Sequence, residues 1–356
     1  MEQHRRQLSG RQPQGGCFKV DDQPPVVSQL TIHSSRKFWL EDGQPWRYRG
    51  VTAFALLDRY AKGEDVQPFL DAYSGYNVLR VFPYVPRKDW GDHGWDKPSV
   101  SVTHDFLRDM AQRGWRVKMD ALTDDDSANL QWAKGFIEDI SEEQHPNLLW
   151  AAGNEPSTHK AIDVDKLRAV LAASGAPYSS GRYEEELTYW GSYGLDHPRS
   201  STDWVRGSHG LMEWFKGTGP EIGHQPYPMP WIVDEMLRPD SPLVRGPDDY
   251  LAYGAGCALF GAGCTMHTQS GKWALLPGQF PSGVTGSPLE AECIAAMLKG
   301  LTAFPADAPL GAYQHGDAEK VDEQRTGSDR SYRVGPYGVR CRPTDGSPVL
   351  IGGETA

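Results

Sequence analysis

The sequence predicts an α/β chain closed into a (β/α)₈ TIM barrel, and three observations carry that prediction. Eight strand-like stretches alternate with helix-like ones between residues 48 and 300. Their starts run from 48 to 261, seven steps of about 30 residues each, near the length of one βα unit in such a barrel. No glycine-rich phosphate fingerprint follows any early strand, which disfavours a doubly wound open sheet.

The strands are short apolar runs, as buried parallel strands should be. They are 48–56 (YRGVTAFAL), 77–85 (NVLRVFPYV), 115–122 (WRVKMDAL), 147–154 (NLLWAAGN), 176–181 (APYSSG), 189–197 (YWGSYGLDH), 230–236 (PWIVDEM) and 261–268 (GAGCTMHT). Helices are expected over 64–74, 103–113, 127–140, 163–173, 203–216 and 288–300. Residues 30–47 alternate around Asp42-Gly43 and predict an N-terminal hairpin with a tight turn. The organisation expected is a flexible arm over 1–29, the barrel over 30–312 and a C-terminal extension over 313–356. Within that extension SYRVGPYGVRC and SPVLIGG read as a small hairpin packed on the barrel.

Bulk chemistry narrows the partners. A net charge of −11 repels nucleic acid and anionic membranes, so neither is expected, whereas a neutral polysaccharide meets no such penalty. No run of 18 apolar residues is present, so no membrane-spanning helix is expected. The opening MEQHRRQLSGRQPQGG lacks the apolar core of a secretory signal. The expectation is a protein that acts inside the cell, leaves it by a route without a signal, or has had its signal removed. Five cysteines without CxxC spacing give no zinc site and no disulfide framework, and read as buried thiols. Twelve Trp are many for this length. Trp90, Trp95, Trp132, Trp190, Trp204 and Trp273 sit among polar or Gly neighbours, where indoles suit the apolar faces of sugar rings, although Trp also fills ordinary cores.

Barrel active sites form at the C-terminal ends of the strands. Two strands end in ionisable residues. LLWAAGNEP delivers Asn154 and Glu155 from the fourth strand, and PWIVDEML delivers Asp234 and Glu235 from the seventh. The glutamates lie 80 residues apart, three βα steps of about 27 residues. Paired carboxyls on facing strands are what glycoside hydrolysis needs, one to protonate the leaving oxygen and one to attack the anomeric carbon. A cation such as Arg80 beside the second would favour its ionised form. The bland readings are a helix N-terminal carboxylate for Glu155 and a surface ion pair for Glu235.

With FWLEDGQPWRYRGVTAF, NVLRVFPYV, NEP and DEM in place, the chain over about 38–305 resembles the clan A glycoside hydrolases, most nearly the cellulase-like family-five type. The resemblance implies Glu155 as acid/base, Glu235 as nucleophile, Arg80 beside the nucleophile and Asn154 on the sugar 2-hydroxyl. It further implies retention of configuration, no metal and no cofactor.

The chain departs from the family pattern at three places. Asp120 stands where a His is usual on the third strand. The sixth strand offers Tyr193 and His197 beside the nucleophile. The eighth ends near His267 with Trp273 further on, where a Trp is usual at the strand end. Trp90 belongs to a Trp- and Gly-rich loop after strand two read as substrate-binding. That loop also holds Asp89, Asp92, His93 and Asp96, which are metal ligands in type only. Asp124-Asp125-Asp126 reads as a solvated helix cap. His209 and His224 read as loop or helix-surface residues. The function expected is a retaining, endo-acting β-glycanase on an oligo- or polysaccharide. The alternatives are a transglycosylase, or a non-catalytic carbohydrate-binding or virion-type structural protein on a degenerate barrel.

Overall fold

The structure, a computed structural model, describes residues 27–34, 39–86, 93–123, 129–154, 164–180, 194–196, 230–235, 238–241, 246–260, 262–305, 321–326, 329–334, 337–341 and 350–353. Three short antiparallel strands come first: β1 (Thr31–Ile32), β2 (Trp39–Glu41) and β3 (Gln44–Trp46). Asp42 and Gly43 connect β2 to β3 with φ of 49° and 78°. Two successive positive φ values make the type I′ turn that Asp-Gly predicts.

Eight parallel strands follow, one at each predicted position. They are β4 (Arg49–Thr52), β5 (Val78–Val81), β6 (Arg116–Asp120), β7 (Leu148–Ala151), β8 (Tyr178–Ser179), β9 (Gly194–Asp196), β10 (Trp231–Val233) and β11 (Gly263–Met266). They form one sheet in the order β8-β7-β6-β5-β4-β11-β10-β9. The first strand therefore pairs with the last, Gly50 opposite Thr265, which is the connection that curls such a sheet into a barrel. Among the described residues no pairing joins β8 to β9.

Alternation along each strand sorts side chains between two environments. Val51, Leu79, Val81, Val117, Met119, Leu148, Trp150, Val233, Cys264 and Met266 join the core shared with the helices. Val78, Leu149, Ala151 and Ile232 join a second cluster with Leu30, Trp39 and Tyr48. That inner cluster floors the barrel, because Trp39 and Leu30 come from the N-terminal hairpin. Gly50 and Gly263 leave room for the Tyr48 side chain, since a Cβ on Gly50 would lie 2.5 Å from its Cε1 and one on Gly263 2.6 Å from its Cβ. Above this apolar floor the inward positions turn polar: Thr52, Arg80, Lys118, Asp120, Asp234 and His267, all buried.

The helices agree with expectation in most places. Predicted 103–113 begins earlier, at Val100–Gln112, because the Ser99 hydroxyl caps the amide of Val102. Predicted 163–173 splits into a 3₁₀ turn, Val164–Leu167, and an α-helix, Arg168–Ala173. Predicted 64–74, 127–140 and 288–300 are Gln67–Ala72, Asn129–Ser141 and Glu290–Leu301. Helix 203–216 lies outside the described residues. Three further helices, Leu56–Ala61, Pro247–Phe260 and Gln269–Lys272, went unpredicted. The expected C-terminal hairpin is larger than foreseen. Strands β12 (Val321–Thr326), β13 (Asp329–Val334), β14 (Tyr337–Cys341) and β15 (Leu350–Gly353) make a four-stranded antiparallel sheet.

Two contacts bind the last helices to the start of the barrel and to each other. Arg47, just after β3, donates to the carbonyls of Leu301, Phe304, Ala258 and Pro305 at 2.7–3.2 Å. It thereby satisfies carbonyls at the C-termini of both Pro247–Phe260 and Glu290–Leu301. These helices cross at Gly254 and Gly300, where an added Cβ would meet backbone atoms at 2.4 Å on either side. Gly300→Ala should therefore destabilise by about 1–3 kcal/mol through overpacking, despite alanine's better helix propensity. Gly135→Ala, whose Cβ meets nothing within 4 Å, should instead stabilise by up to about 1 kcal/mol. Urea unfolding of the two variants measures both, and equal effects would refute the backbone-contact account.

Among the described residues no helix is long and apolar enough to cross a membrane. Cys257, Cys264 and Cys293 are buried thiols.

Candidate active site

At the C-terminal end of the barrel one guanidinium organises the site. Arg80, on β5, is fully buried. Its Nε donates to Asp120 Oδ2 at 2.8 Å and lies 3.1 Å from Asp234 Oδ2. Its Nη1 donates to Glu235 Oε1 at 2.5 Å and its Nη2 to Asn154 Oδ1 at 2.6 Å. Arg80 thus ties the ends of the third, fourth and seventh barrel strands together. The rings of Phe54 and Phe82, stacked with centroids 3.7 Å apart, flank it at 5.1 and 5.3 Å from Cζ. Desolvation works against the guanidinium's charge, but Asp120, Asp234 and Glu235 outweigh it and raise its pKa well above the ordinary value.

Lys118 supplies a second buried cation. Its Nζ donates to Asp120 Oδ1 at 2.9 Å and to Asp234 Oδ2 at 2.8 Å. Asp120 is therefore shared between Arg80 and Lys118, and so is Asp234. Glu235 keeps part of its side chain open, 19% exposed against 0–1% for Arg80, Lys118, Asp120 and Asp234. The one accessible carboxylate of the group is the one at the mouth.

His267 stands across from it. Its Nε2 is 3.9 Å from Glu235 Oε2, and its Nδ1 shares a 2.9 Å hydrogen bond with the Thr52 hydroxyl. Burial lowers its pKa to about 3, against the opposing pull of Glu235, so the ring is neutral at physiological pH. Trp273 follows on a loop pinned at several points. The buried Glu290 carboxylate accepts from the amides of Ser270 and Gly278 at 3.1 and 2.8 Å, and Arg59 donates to the Ala274 carbonyl at 2.6 Å. Half-buried Trp273 faces His93 of the strand-two loop, ring centroids 5.1 Å apart. An indole held this way needs little ordering to meet a ligand.

Of the residues singled out from sequence, Arg80, Asn154, Glu235 and His267 come together, with Trp273 on the same face. Glu155, Tyr193, His197 and Trp90 lie outside the described residues, as do Trp190, Trp204, Asp89, Asp92, Asp124-Asp125-Asp126, His209 and His224. Trp95 belongs to the core. It is 4% exposed and its indole N–H donates to the Phe82 carbonyl at 3.3 Å. Trp132 stacks on Phe136 at 4.8 Å, with the Lys97 ammonium 4.7 Å from its ring. Trp95 is thus taken up by the core, and Trp132 is partly covered by Phe136 and Lys97. Sequence reasoning missed Lys118, and it treated Asp120 only as a departure from a family pattern.

A separate cluster lies at the N-terminal end of β7. His104 Nδ1 and His145 Nε2 are 2.7 Å apart, and Glu143 Oε2 is 3.7 and 4.0 Å from them. A 2.7 Å separation is a hydrogen bond between two imidazoles, and Arg108 already donates to that Glu143 oxygen at 2.6 Å. The cluster is accounted for by its own bonds. Burial, then His104, lowers the His145 pKa to about 4. Both His145 and His267 thus titrate below an unfolded histidine near pH 6.5. Unfolding takes up protons as pH falls from about 6.5, so the stability present above that value is progressively lost. We expect about 3 kcal/mol lost between pH 6.5 and 5 in denaturant unfolding, about half from each histidine, with a shallower slope in His145→Gln. A slope identical in the variant would remove His145 from this account.

No family model matches the sequence, and no curated protein matches it. Solved structures match its fold. A glycoside hydrolase family 5 protein from Bacteroides vulgatus gives a TM-score of 0.59 at 14% identity, over 91% of this chain and 82% of that one. An endo-β-1,4-mannanase from Thermotoga petrophila gives 0.52 at 11% identity, over 72% and 77%. A β-glucanase from Saccharophagus degradans, in complex with cellotetraose, gives 0.51 at 12% identity, over 77% and 94%. The chain has the barrel fold of family-five glycoside hydrolases.

Proposed function

We propose that the protein is a retaining glycoside hydrolase that cleaves β-glycosidic bonds in an oligo- or polysaccharide, with endo action. The observation that carries this reading is the double grip of Arg80 on Glu235 and Asn154. It brings the seventh-strand glutamate beside the residue that precedes Glu155. Glu235, ionised against Arg80, attacks the anomeric carbon while Glu155 protonates the departing oxygen. Glu155 then takes a proton from water, which hydrolyses the glycosyl-enzyme and retains the configuration. Asn154 holds the sugar 2-hydroxyl and His267 and Trp273 contact the sugar, while Trp90, Tyr193 and His197 are assigned to sugar binding from the sequence. No cofactor or metal enters this mechanism.

The mannanase and glucanase among the similar structures set the order of trial. Reducing-sugar release on β-mannans and β-glucans, then xylans and galactans, tests the reading, with Glu235→Gln run alongside. Release by the wild type that the variant loses supports it. Release that the variant keeps overturns the site.

A further inference from the structure

We infer that Lys118 is a positioning residue that sets the charge of the site, so that Glu235 can stay ionised beside two other carboxylates. The inference rests on the proposed role of Glu235 and deepens it. Its basis is the juxtaposition of five charged side chains from the second, third and seventh barrel strands. Arg80 and Lys118 are positive, and Asp120, Asp234 and Glu235 are negative. Four of the five are buried to within 1%. Counted together they carry one net negative charge, and Glu235 is the carboxylate exposed to a ligand.

Asp234 makes the cation necessary. It adjoins Glu235 in the chain and enters the same pocket, and its Oδ2 lies 3.1 Å from Arg80 Nε. Two carboxylates on one guanidinium compete for it, and like charges at this range push protonation upward. Lys118 Nζ, 2.8 Å from that same Oδ2, offsets Asp234 and leaves Arg80 Nη1 to Glu235. Asp120, bonded by both cations, fixes their separation. Among the described residues the other ionisable groups acting on this pocket are the buried Tyr48 hydroxyl, coupled to Asp234, Arg80 and Asp120, and His267 across from Glu235, with Arg238 and Lys272 acting on that ring.

Charge counting gives the test. Lys118→Met raises the net negative charge of the five from one to two. Asp234→Asn lowers it to zero, and the double substitution returns it to one. Glutamate labelled with ¹³C at the carboxyl carbon is incorporated into the full chain, and Glu235 is identified as the resonance missing from Glu235→Gln. Lys118→Met should raise the Glu235 midpoint by at least about one pH unit. Asp234→Asn should lower it, and Lys118→Met/Asp234→Asn should return it to the wild-type value. The acid limb of kcat/KM should follow the same order. A midpoint unmoved by Lys118→Met, or a double variant that does not return, overturns the inference. Should Lys118→Met not fold, Asp234→Asn and the double variant differ only by the Lys118 charge, and equal midpoints in those two overturn it equally. If Glu235→Gln remains active, the proposed function fails while the titration still decides the charge coupling.

Discussion

Glu235→Gln should lower kcat by at least about a thousandfold and leave the protein folded. The amide keeps the shape of the carboxylate and an oxygen for Arg80, so the bond network at Nη1 persists. It forms no glycosyl-enzyme at a useful rate, because a neutral amide oxygen is a far weaker nucleophile than a carboxylate. An effect of that size identifies a group acting in bond formation, since loss of a mere binding contact raises KM instead. Glu235→Ala with added azide sharpens the test. Azide entering the vacated space attacks the anomeric carbon as the glycosidic C–O bond breaks and Glu155 protonates the departing oxygen, yielding a glycosyl azide of inverted configuration. Wild-type turnover in Glu235→Gln would remove the residue from the mechanism.

Arg80→Met has the largest expected effect on stability. Its loss leaves Asp120 and Asp234 with Lys118 as their remaining cation in the described network, and Glu235 and Asn154 without their common donor. Removing one partner from a buried ionic group costs about 3–5 kcal/mol, a large share of the roughly 5–15 kcal/mol that holds a protein folded. A drop in Tm of about 4–7 °C is expected by calorimetry. Arg80→Lys separates the two roles. It retains the charge but cannot span Asp120, Glu235 and Asn154 at once, because an ammonium lacks the planar fork. Its kcat should fall about a hundredfold with a smaller fall in Tm. An Arg80→Met variant of wild-type Tm would mean that the network contributes nothing to stability.

The strand positions were legible because each combines an apolar run with a turn signal, and Glu235, Arg80, Asn154 and His267 were legible because strand ends are where barrels place chemistry. Lys118 was not. A lysine in a sequence ordinarily reads as solvated, and what buries this one is Asp234, 116 residues further on. The signal was nonetheless present in Arg116-Val117-Lys118-Met119-Asp120. Charges alternating with apolar residues in a strand covered by helices can point only into the barrel. Trp95 misled in the other direction. Its Gly and Asp neighbours describe a loop, yet its backbone bridges to Val85 and carries the ring inward. The early start of Val100–Gln112 was hidden by β-branched residues that a single Ser cap outweighs.

The grip of Arg47 on carbonyls near residue 301 has a consequence in time. The two partners stand 254 residues apart, and β4 waits almost as long for β11. At roughly 5–20 residues per second a ribosome needs about 13–50 s to deliver the second half of that clasp. Through that interval β4 presents an unpaired edge, and no shorter fragment can complete the ring. A nascent chain arrested before residue 263 should therefore remain open to proteases and holdase chaperones, and acquire resistance only when the last two helices have emerged.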